Sequence, residues 1–91
     1  GEMLYEVENS EMEMLVYPNP FTSDFHVRFE NAGDEHITLR LFNLAGQTIQ
    51  TLSDQLPNQE YILGNDLGAG IYFLEVQQGD LRKVVKVNKA D

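Results

Sequence analysis

The sequence predicts an all-β fold, an antiparallel sandwich of about seven strands. Residues that favour turns (Gly, Asn, Asp and Pro) interrupt the chain at intervals close to the roughly 8–12 residues typical of sandwiches and barrels. The segments between these turns are short and rich in β-branched and aromatic residues. No segment in the middle of the chain repeats apolar residues at the spacing of an amphipathic helix. These three observations favour strands throughout.

The clearest predicted strand covers residues 24–30. Phe25, Val27 and Phe29 alternate with polar residues, so they share one face of a sheet. Turn positions and apolar patterns place the other strands at residues 12–17, 37–41, 46–52, 60–63, 72–76 and 81–88. The core is expected to contain Val16, Phe25, Val27, Phe29, Leu39, Leu41, Ile49, Leu63, Leu67, Tyr72, Leu74 and Val76.

The head of the chain has a different composition. Residues 1–13 contain five glutamates and a single short apolar stretch. Such an acidic segment favours a solvated linker from an upstream domain of a longer parent protein. A strand at residues 3–7 and a helix over residues 8–14 are the alternatives. We therefore expect an acidic N-terminal extension at residues 1–13 and one folded domain at residues 14–91.

The charge of the chain excludes two classes of partner. The net charge of −9 repels the phosphate backbone of nucleic acids and the surface of anionic membranes. Residues 82–91 are the exception, because they carry a net charge of +3 while the remainder carries −12. Lysines on this last strand either protect a sheet edge from unwanted pairing or take part in recognition, and the two roles are compatible.

The residue types that commonly catalyse reactions or bind metals form no recognisable motif in this sequence. His26 is predicted to be a solvated histidine on the polar face of its strand, and His36 follows Asp34 in a predicted hairpin loop. A zinc site needs three or four converging ligands, and no closely spaced set is present. The chain has no cysteine, and no serine lies in a nucleophile elbow. We expect no enzyme activity, no cofactor and no metal, and a calcium ion held with the help of loop carbonyls is the alternative for a metal.

A tyrosine motif near residue 70 refines the expected fold. The pattern of Leu67, Gly70 and Tyr72 resembles the corner that leads into the sixth strand of immunoglobulin-like sandwiches. In that corner a tyrosine hydroxyl bonds the backbone a few residues upstream, and glycine accommodates the tight turn. The expected architecture is therefore an Ig-like antiparallel β-sandwich.

Three segments together resemble the type IX (Por) secretion system C-terminal sorting domain family. The first is Val-Tyr-Pro-Asn-Pro-Phe at residues 16–21, which is followed by the alternating strand already described. The second is an apolar strand with its turn and glycine at residues 39–47. The third is the tyrosine corner at residues 67–72, which a basic strand at residues 83–86 follows. Many relatives place aspartate where this chain has Asn43, and either residue suits a turn.

The resemblance implies protein export rather than chemistry. It implies that the domain is a sorting signal, which directs a parent protein from the periplasm across the outer membrane of Bacteroidetes-type bacteria to the cell surface or the medium. The implied partners are the outer-membrane secretion machinery, a sortase that removes the domain in many relatives, and the upstream domains of the parent. The sequence leaves the oligomeric state open.

The sorting and recognition candidates are Pro18, Asn19, Pro20, Gly70, Tyr72, Lys83, Val85 and Lys86. We expect the proline pair to stiffen the lead into the sandwich and the last strand to pair with a partner sheet. On that basis Val85→Pro is expected to abolish export by removing a main-chain donor. The alternative function is a structural or adhesive β-sandwich module, which would bind carbohydrate or protein through Phe21, Tyr61 or Phe73.

Overall fold

Alternating side chains and glycine-rich or polar turns divide the chain into short strands that pair with one another. The computed structural model describes residues 12–91, and all regular structure in that range is β-strand. Its seven strands are β1 (Glu13–Tyr17), β2 (Phe25–Glu30), β3 (Ile37–Asn43), β4 (Thr48–Gln55), β5 (Tyr61–Leu63), β6 (Gly70–Gln78) and β7 (Leu81–Lys89). The predicted fold class and the expected number of strands are therefore confirmed.

The strands form two antiparallel sheets. One sheet has the order β1-β2-β5, and the other has the order β4-β3-β6-β7. Apolar residues from both sheets form one continuous buried cluster, which gives the sandwich-like arrangement expected of an Ig-like fold. β1 and β7 lie at the edges of their sheets, so their pairing potential is not used up by neighbouring strands of residues 12–91.

The observed core agrees with most of the predicted core. Eight of the predicted residues are buried: Phe25, Val27, Phe29, Leu39, Leu41, Leu63, Leu74 and Val76. Val16, Leu67 and Tyr72 are half-buried and pack against this cluster.

The prediction for Ile49 is wrong, because this side chain is 42% exposed. Ile49 and Leu52 are three residues apart, and a spacing of three does not keep two side chains on one face of a strand. Leu52 is the residue of the two that packs against the core. The pairing of β4 with β3 also contains two register irregularities, which disturb the simple alternation.

Four buried hydrophobic residues are absent from the predicted core: Met12, Phe21, Ile37 and Val87. Phe21 is fully buried although it lies in the irregular segment between β1 and β2, where strand periodicity gives no signal. Val87 is buried because every second residue of β7 faces the other sheet.

The predicted turn after β3 is confirmed. Gly46 has a φ of 87°, and its backbone N–H donates to the carbonyl of Asn43 at 3.0 Å. The side-chain Oδ1 of Asn43 accepts the backbone N–H of Gln47 at 2.9 Å, while Nδ2 donates to Oε1 of Gln47 at 2.8 Å. An aspartate retains the first bond, and its second oxygen can accept an Nε2–H of Gln47 when that amide is turned over, so either residue suits this turn.

The N-terminal prediction falls mostly on residues 1–11, which lie outside the described residues, as does the alternative strand at residues 3–7. Met12 is buried, and Glu13 and Met14 belong to β1, so the alternative helix does not extend over these three residues. Within residues 12–91 there is no helix long and apolar enough to cross a membrane.

Candidate recognition edge formed by the last strand

The last strand, β7, presents one of its two main-chain sides away from the sheet. It pairs with β6 in an unbroken antiparallel register from Gly70↔Lys89 to Gln78↔Leu81. In such a ladder, alternate residues direct N–H and C=O towards the neighbour or away from it. The N–H and C=O of Asn88 bond to residues outside the sheet, so Val84 and Lys86, at the same parity, also point outwards. The groups of Val85 and Val87 point towards β6.

The segment that follows β1 covers part of this outward edge. The side chain of Asn19 bridges two residues of β7, because its Nδ2 donates to the carbonyl of Lys86 at 3.0 Å and its Oδ1 accepts the N–H of Asn88 at 2.9 Å. A single amide side chain thus supplies one acceptor and one donor in the place of a neighbouring strand.

Phe21 continues this coverage with its backbone. Its N–H donates to the carbonyl of Asn88 at 2.9 Å, and its carbonyl accepts the N–H of Ala90 at 2.8 Å, which gives a parallel bridge with Lys89. The ring of Phe21 is fully buried and lies 4.9 Å from the ring of Phe25, centroid to centroid. The core therefore anchors the edge cap, by which we mean residues 19–21.

The predicted tyrosine corner is present. The hydroxyl of Tyr72 donates to the carbonyl of Gly68 at 2.7 Å, four residues upstream. Gly70 has a φ of 150°, a conformation that side chains with a Cβ rarely adopt, although no atom lies within 4 Å of where a Cβ would be. Gly70 is therefore required by the backbone and not by lack of space.

The structure brings the eight predicted site residues together around β7. Gly70 and Tyr72 pair with Lys89 and Val87 across the β6–β7 ladder, and Asn19 bonds to Lys86. Pro18 and Pro20 are exposed on either side of Asn19, and each follows a cis peptide bond. Lys83 and Val85 are half-buried on the inward-facing side of β7, whereas Lys86 is exposed on the opposite side.

A groove runs between the two edge strands. It has a volume of about 380 Å³ and is lined by Glu13, Met14 and Leu15 of β1 and by Lys83, Val84 and Val85 of β7. Among residues 12–91, no strand pairs with the side of β1 or of β7 that borders this groove. An extended strand fits such a place, since it can pair with one edge and pack its side chains against the other.

The outer face of the four-stranded sheet carries a cationic and apolar cluster that sequence reasoning missed. The carboxylate of Glu75 is buried there between two arginines, with Oε1 3.7 Å from the guanidinium of Arg40 and Oε2 bonded to Nε of Arg82. The guanidinium of Arg40 also lies 5.7 Å from the ring centroid of Phe42. Two arginines and one glutamate leave this face with a surplus of positive charge. The sequence contains one indication of this cluster, because Glu75 is a charged residue within an otherwise apolar predicted strand.

A second polar cluster lies on the other sheet. Nδ1 of His26 is 2.6 Å from Oε2 of Glu60, and its ring stacks on Tyr17 with centroids 5.3 Å apart. His26 therefore lies on the polar face of its strand, as predicted, and is partly exposed; its bond with Glu60 and its stacking on Tyr17 are not predicted by the local sequence. The hydrogen bond with His26 lowers the pKa of Glu60, while desolvation, followed by the interactions with Glu60, raises the pKa of Tyr17.

The remaining chemistry-bearing residues do not converge. Nδ1 of His36 is 2.7 Å from Oδ1 of Asp54, and both side chains are exposed. Within the part of the chain that the structure describes, no three histidine, aspartate or glutamate residues are grouped so as to hold a metal ion.

The aromatic residues named for an adhesive function lie in three separate places. Phe21 belongs to the core, so it is not available to a ligand, and that part of the alternative is wrong. Tyr61 is half-buried, its hydroxyl donates to the carbonyl of Leu56 at 2.5 Å, and burial raises its pKa. Phe73 is half-buried on the outer face of the four-stranded sheet, in a second groove of about 390 Å³.

The described residues therefore form a β-sandwich whose last strand presents main-chain groups and basic side chains at a sheet edge. Comparison with known families identifies the kind of domain. The family described as "Secretion system C-terminal sorting domain" matches residues 15–89, which is most of the chain. The chain therefore belongs to this family, and its role is that of a C-terminal secretion sorting signal. No curated protein matches the chain.

Proposed function

We propose that this domain directs a parent protein from the periplasm across the bacterial outer membrane through the type IX secretion system, without catalysing a reaction itself. The parent then reaches the cell surface or the medium. The proposed partners are the outer-membrane secretion machinery, the upstream domains of the parent and a sortase that removes the domain after export.

The family match over residues 15–89 is the observation that carries this proposal. The structure adds physical support, because the candidate residues from three distant segments meet at β7. β7 also holds four of the six basic residues of a chain whose net charge is −9: Arg82, Lys83, Lys86 and Lys89. A cationic edge on an acidic body gives a partner one distinct orientation in which to bind.

The domain organisation is part of the proposal. We propose that the acidic extension, expected at residues 1–13, connects the sandwich to the parent. The folded domain, expected at residues 14–91, begins two residues earlier, because Met12 is buried in the core and Glu13 belongs to β1. A sortase that cleaves the chain within this extension separates the parent from the domain without cutting β1.

A secretion assay tests the proposed function. A signal peptide, a fluorescent reporter and the 91-residue chain are fused in that order and expressed in a bacterium with the type IX machinery. The matched control is the same signal peptide and reporter without the chain. Reporter is measured in the periplasm, on the surface and in the medium.

The proposal expects the fusion to leave the periplasm and the control to remain there. Retention of the fusion, with the domain folded in the periplasmic fraction, would contradict the proposal and would leave the adhesive module as the better account. A truncation that removes β7 is less informative, because it also removes buried Val87 from the core.

A further inference from the structure

We propose that the partner of this domain adds a β-strand to residues 82–86 of β7, and that the edge cap of residues 19–21 excludes it from residues 88–90. This inference rests on the proposed function and specifies the surface that the secretion machinery reads. The partner segment is an extended strand with apolar side chains towards the groove and acidic side chains towards the outer face.

The hydrogen bonds of the edge set the limits of this binding window. The outward groups from the carbonyl of Lys86 to the N–H of Ala90 are bonded to Asn19 and Phe21. No described residue bonds the outward N–H and C=O of Val84 or the outward N–H of Lys86 through its backbone. A partner strand can therefore form ladder bonds to the outward groups of residues 82–86 without displacing a backbone bond that residues 12–91 make there.

The cap is difficult to displace because its side chain is part of the core. Moving Phe21 away from β7 would withdraw a fully buried ring from its contact with Phe25. The edge cap therefore stays in place when a partner binds, and it limits how far along β7 the partner strand can pair.

The surroundings of the window fix the chemistry of the partner. Along one side of the window runs the groove, whose lining combines the charged side chains of Glu13 and Lys83 with apolar ones. The apolar part, which includes Met14, Leu15 and Val85, favours apolar side chains on the partner. On the other side lie Arg82 and Lys86, and the carboxylate of Glu75 is already bonded to Arg82 and close to Arg40. Acidic side chains on the partner complement this face.

The direction of the main-chain groups of β7 shows that strand addition is tested at Val84 and not at Val85. The N–H of Val85 points towards β6, so Val85→Pro breaks the domain's own sheet and does not isolate a bond to a partner. Val84→Pro removes an outward donor and retains the β6–β7 ladder, because proline is tolerated on an edge strand when its nitrogen faces away from the sheet. Val84→Ala is the matched control, since it removes the side chain and keeps the donor.

The first experiment is amide hydrogen exchange, measured by NMR on the intact chain. We expect Asn88 and Ala90 to be protected and Val84 and Lys86 to exchange about tenfold faster or more. In Asn19→Ala, Asn88 loses protection while Val84 does not change. Equal protection of Val84 and Asn88 would overturn the proposal, because another part of the chain would then occupy the window. Repeating the measurement without residues 1–11 identifies whether that part is the N-terminal segment.

The second experiment is export of the reporter fusion carrying each Val84 variant, with folding checked by thermal denaturation. Val84→Pro is expected to lower export about tenfold, whereas Val84→Ala stays within about twofold of the unaltered chain. Lys86→Gln lowers export, Lys86→Arg restores it, and Arg28→Gln on the other sheet has no effect. Export of a folded Val84→Pro fusion at the unaltered level would overturn the window while the sorting function stands. Failure of the unaltered fusion itself would instead contradict the sorting function.

Discussion

Gly64 lies where the edge cap, the core and the backbone of one turn meet, and its replacement by alanine gives a sharp test of the packing. Gly64 is buried and has a φ of 87°. A Cβ at this position would lie 2.8 Å from Cε1 of Phe25 and 3.0 Å from Cε2 of Phe21. Both rings are fully buried, so neither moves aside without disturbing the core.

The expected cost of Gly64→Ala has two parts. Placing alanine at positive φ costs about 1–2 kcal/mol, and forcing a methyl group into a packed core costs about 1–3 kcal/mol. We therefore expect the free energy of unfolding to fall by about 2–5 kcal/mol. A chain of this size has a total stability of roughly 5–13 kcal/mol, so the loss is readily measured.

Gly46→Ala is the matched control, because Gly46 has the same φ of 87° but no atom within 4 Å of its Cβ position. It should lose only the backbone part, about 1–2 kcal/mol. Urea unfolding followed by circular dichroism measures both variants. Equal losses for the two variants would refute the packing around Gly64. In Gly64→Ala combined with Phe25→Leu, the two losses should sum to more than the measured total, because the smaller side chain relieves the clash.

Three further variants test separate parts of the structure. Phe29→Ala should lower the free energy of unfolding by about 3–5 kcal/mol, because its ring is 9% exposed and packs edge-on to Tyr61; a shift near zero would show that the register of β2 is wrong. Tyr72→Phe should cost about 0.5–1.5 kcal/mol, since it removes only the bond to the carbonyl of Gly68, and unchanged stability would argue against that bond. Glu60→Gln should lower the melting temperature at about pH 6, and this effect should shrink as the pH falls below the ordinary pKa of 4.5. The pKa of this carboxyl is lowered in the fold, so its contribution is present above the ordinary value and is lost as the pH falls through the folded value. A difference that does not shrink as the pH falls would contradict the bond with His26.

Local patterns explain why so much of the fold could be predicted from the sequence. The alternation of Phe25, Val27 and Phe29 is a property of one strand, and the structure buries all three. The tyrosine corner is equally local, because Tyr72 and Gly68 are four residues apart. The turn at Asn43 closes through bonds to Gly46 and Gln47. Each of these features depends on neighbours in the chain.

The features that sequence reasoning missed depend on contacts between distant residues. Asn19 and Lys86 are 67 residues apart, and nothing in the local pattern around either residue predicts that one bonds the other. Phe21 follows a proline in an irregular segment, so burial of its ring comes only from the packing of the two sheets. The sequence pattern predicts that the two prolines stiffen the lead into the sandwich. It gives no sign that Asn19, which lies between them, covers the edge of β7.

The outward direction of Val84 and Lys86 could not be assigned from the sequence either. Strand periodicity shows which side chains share a face, but the choice of main-chain side depends on which neighbour the strand pairs with. The bonds of Asn88 to Asn19 and Phe21 settle that choice for the whole of β7.

Export of the reporter fusion in two isogenic strains tests the central claim most directly. One strain has the intact type IX machinery, and the other lacks its outer-membrane translocation pore. If the domain is the sorting signal, the reporter leaves the periplasm in the first strain and accumulates there, folded, in the second. The same distribution of reporter in both strains would contradict the claim.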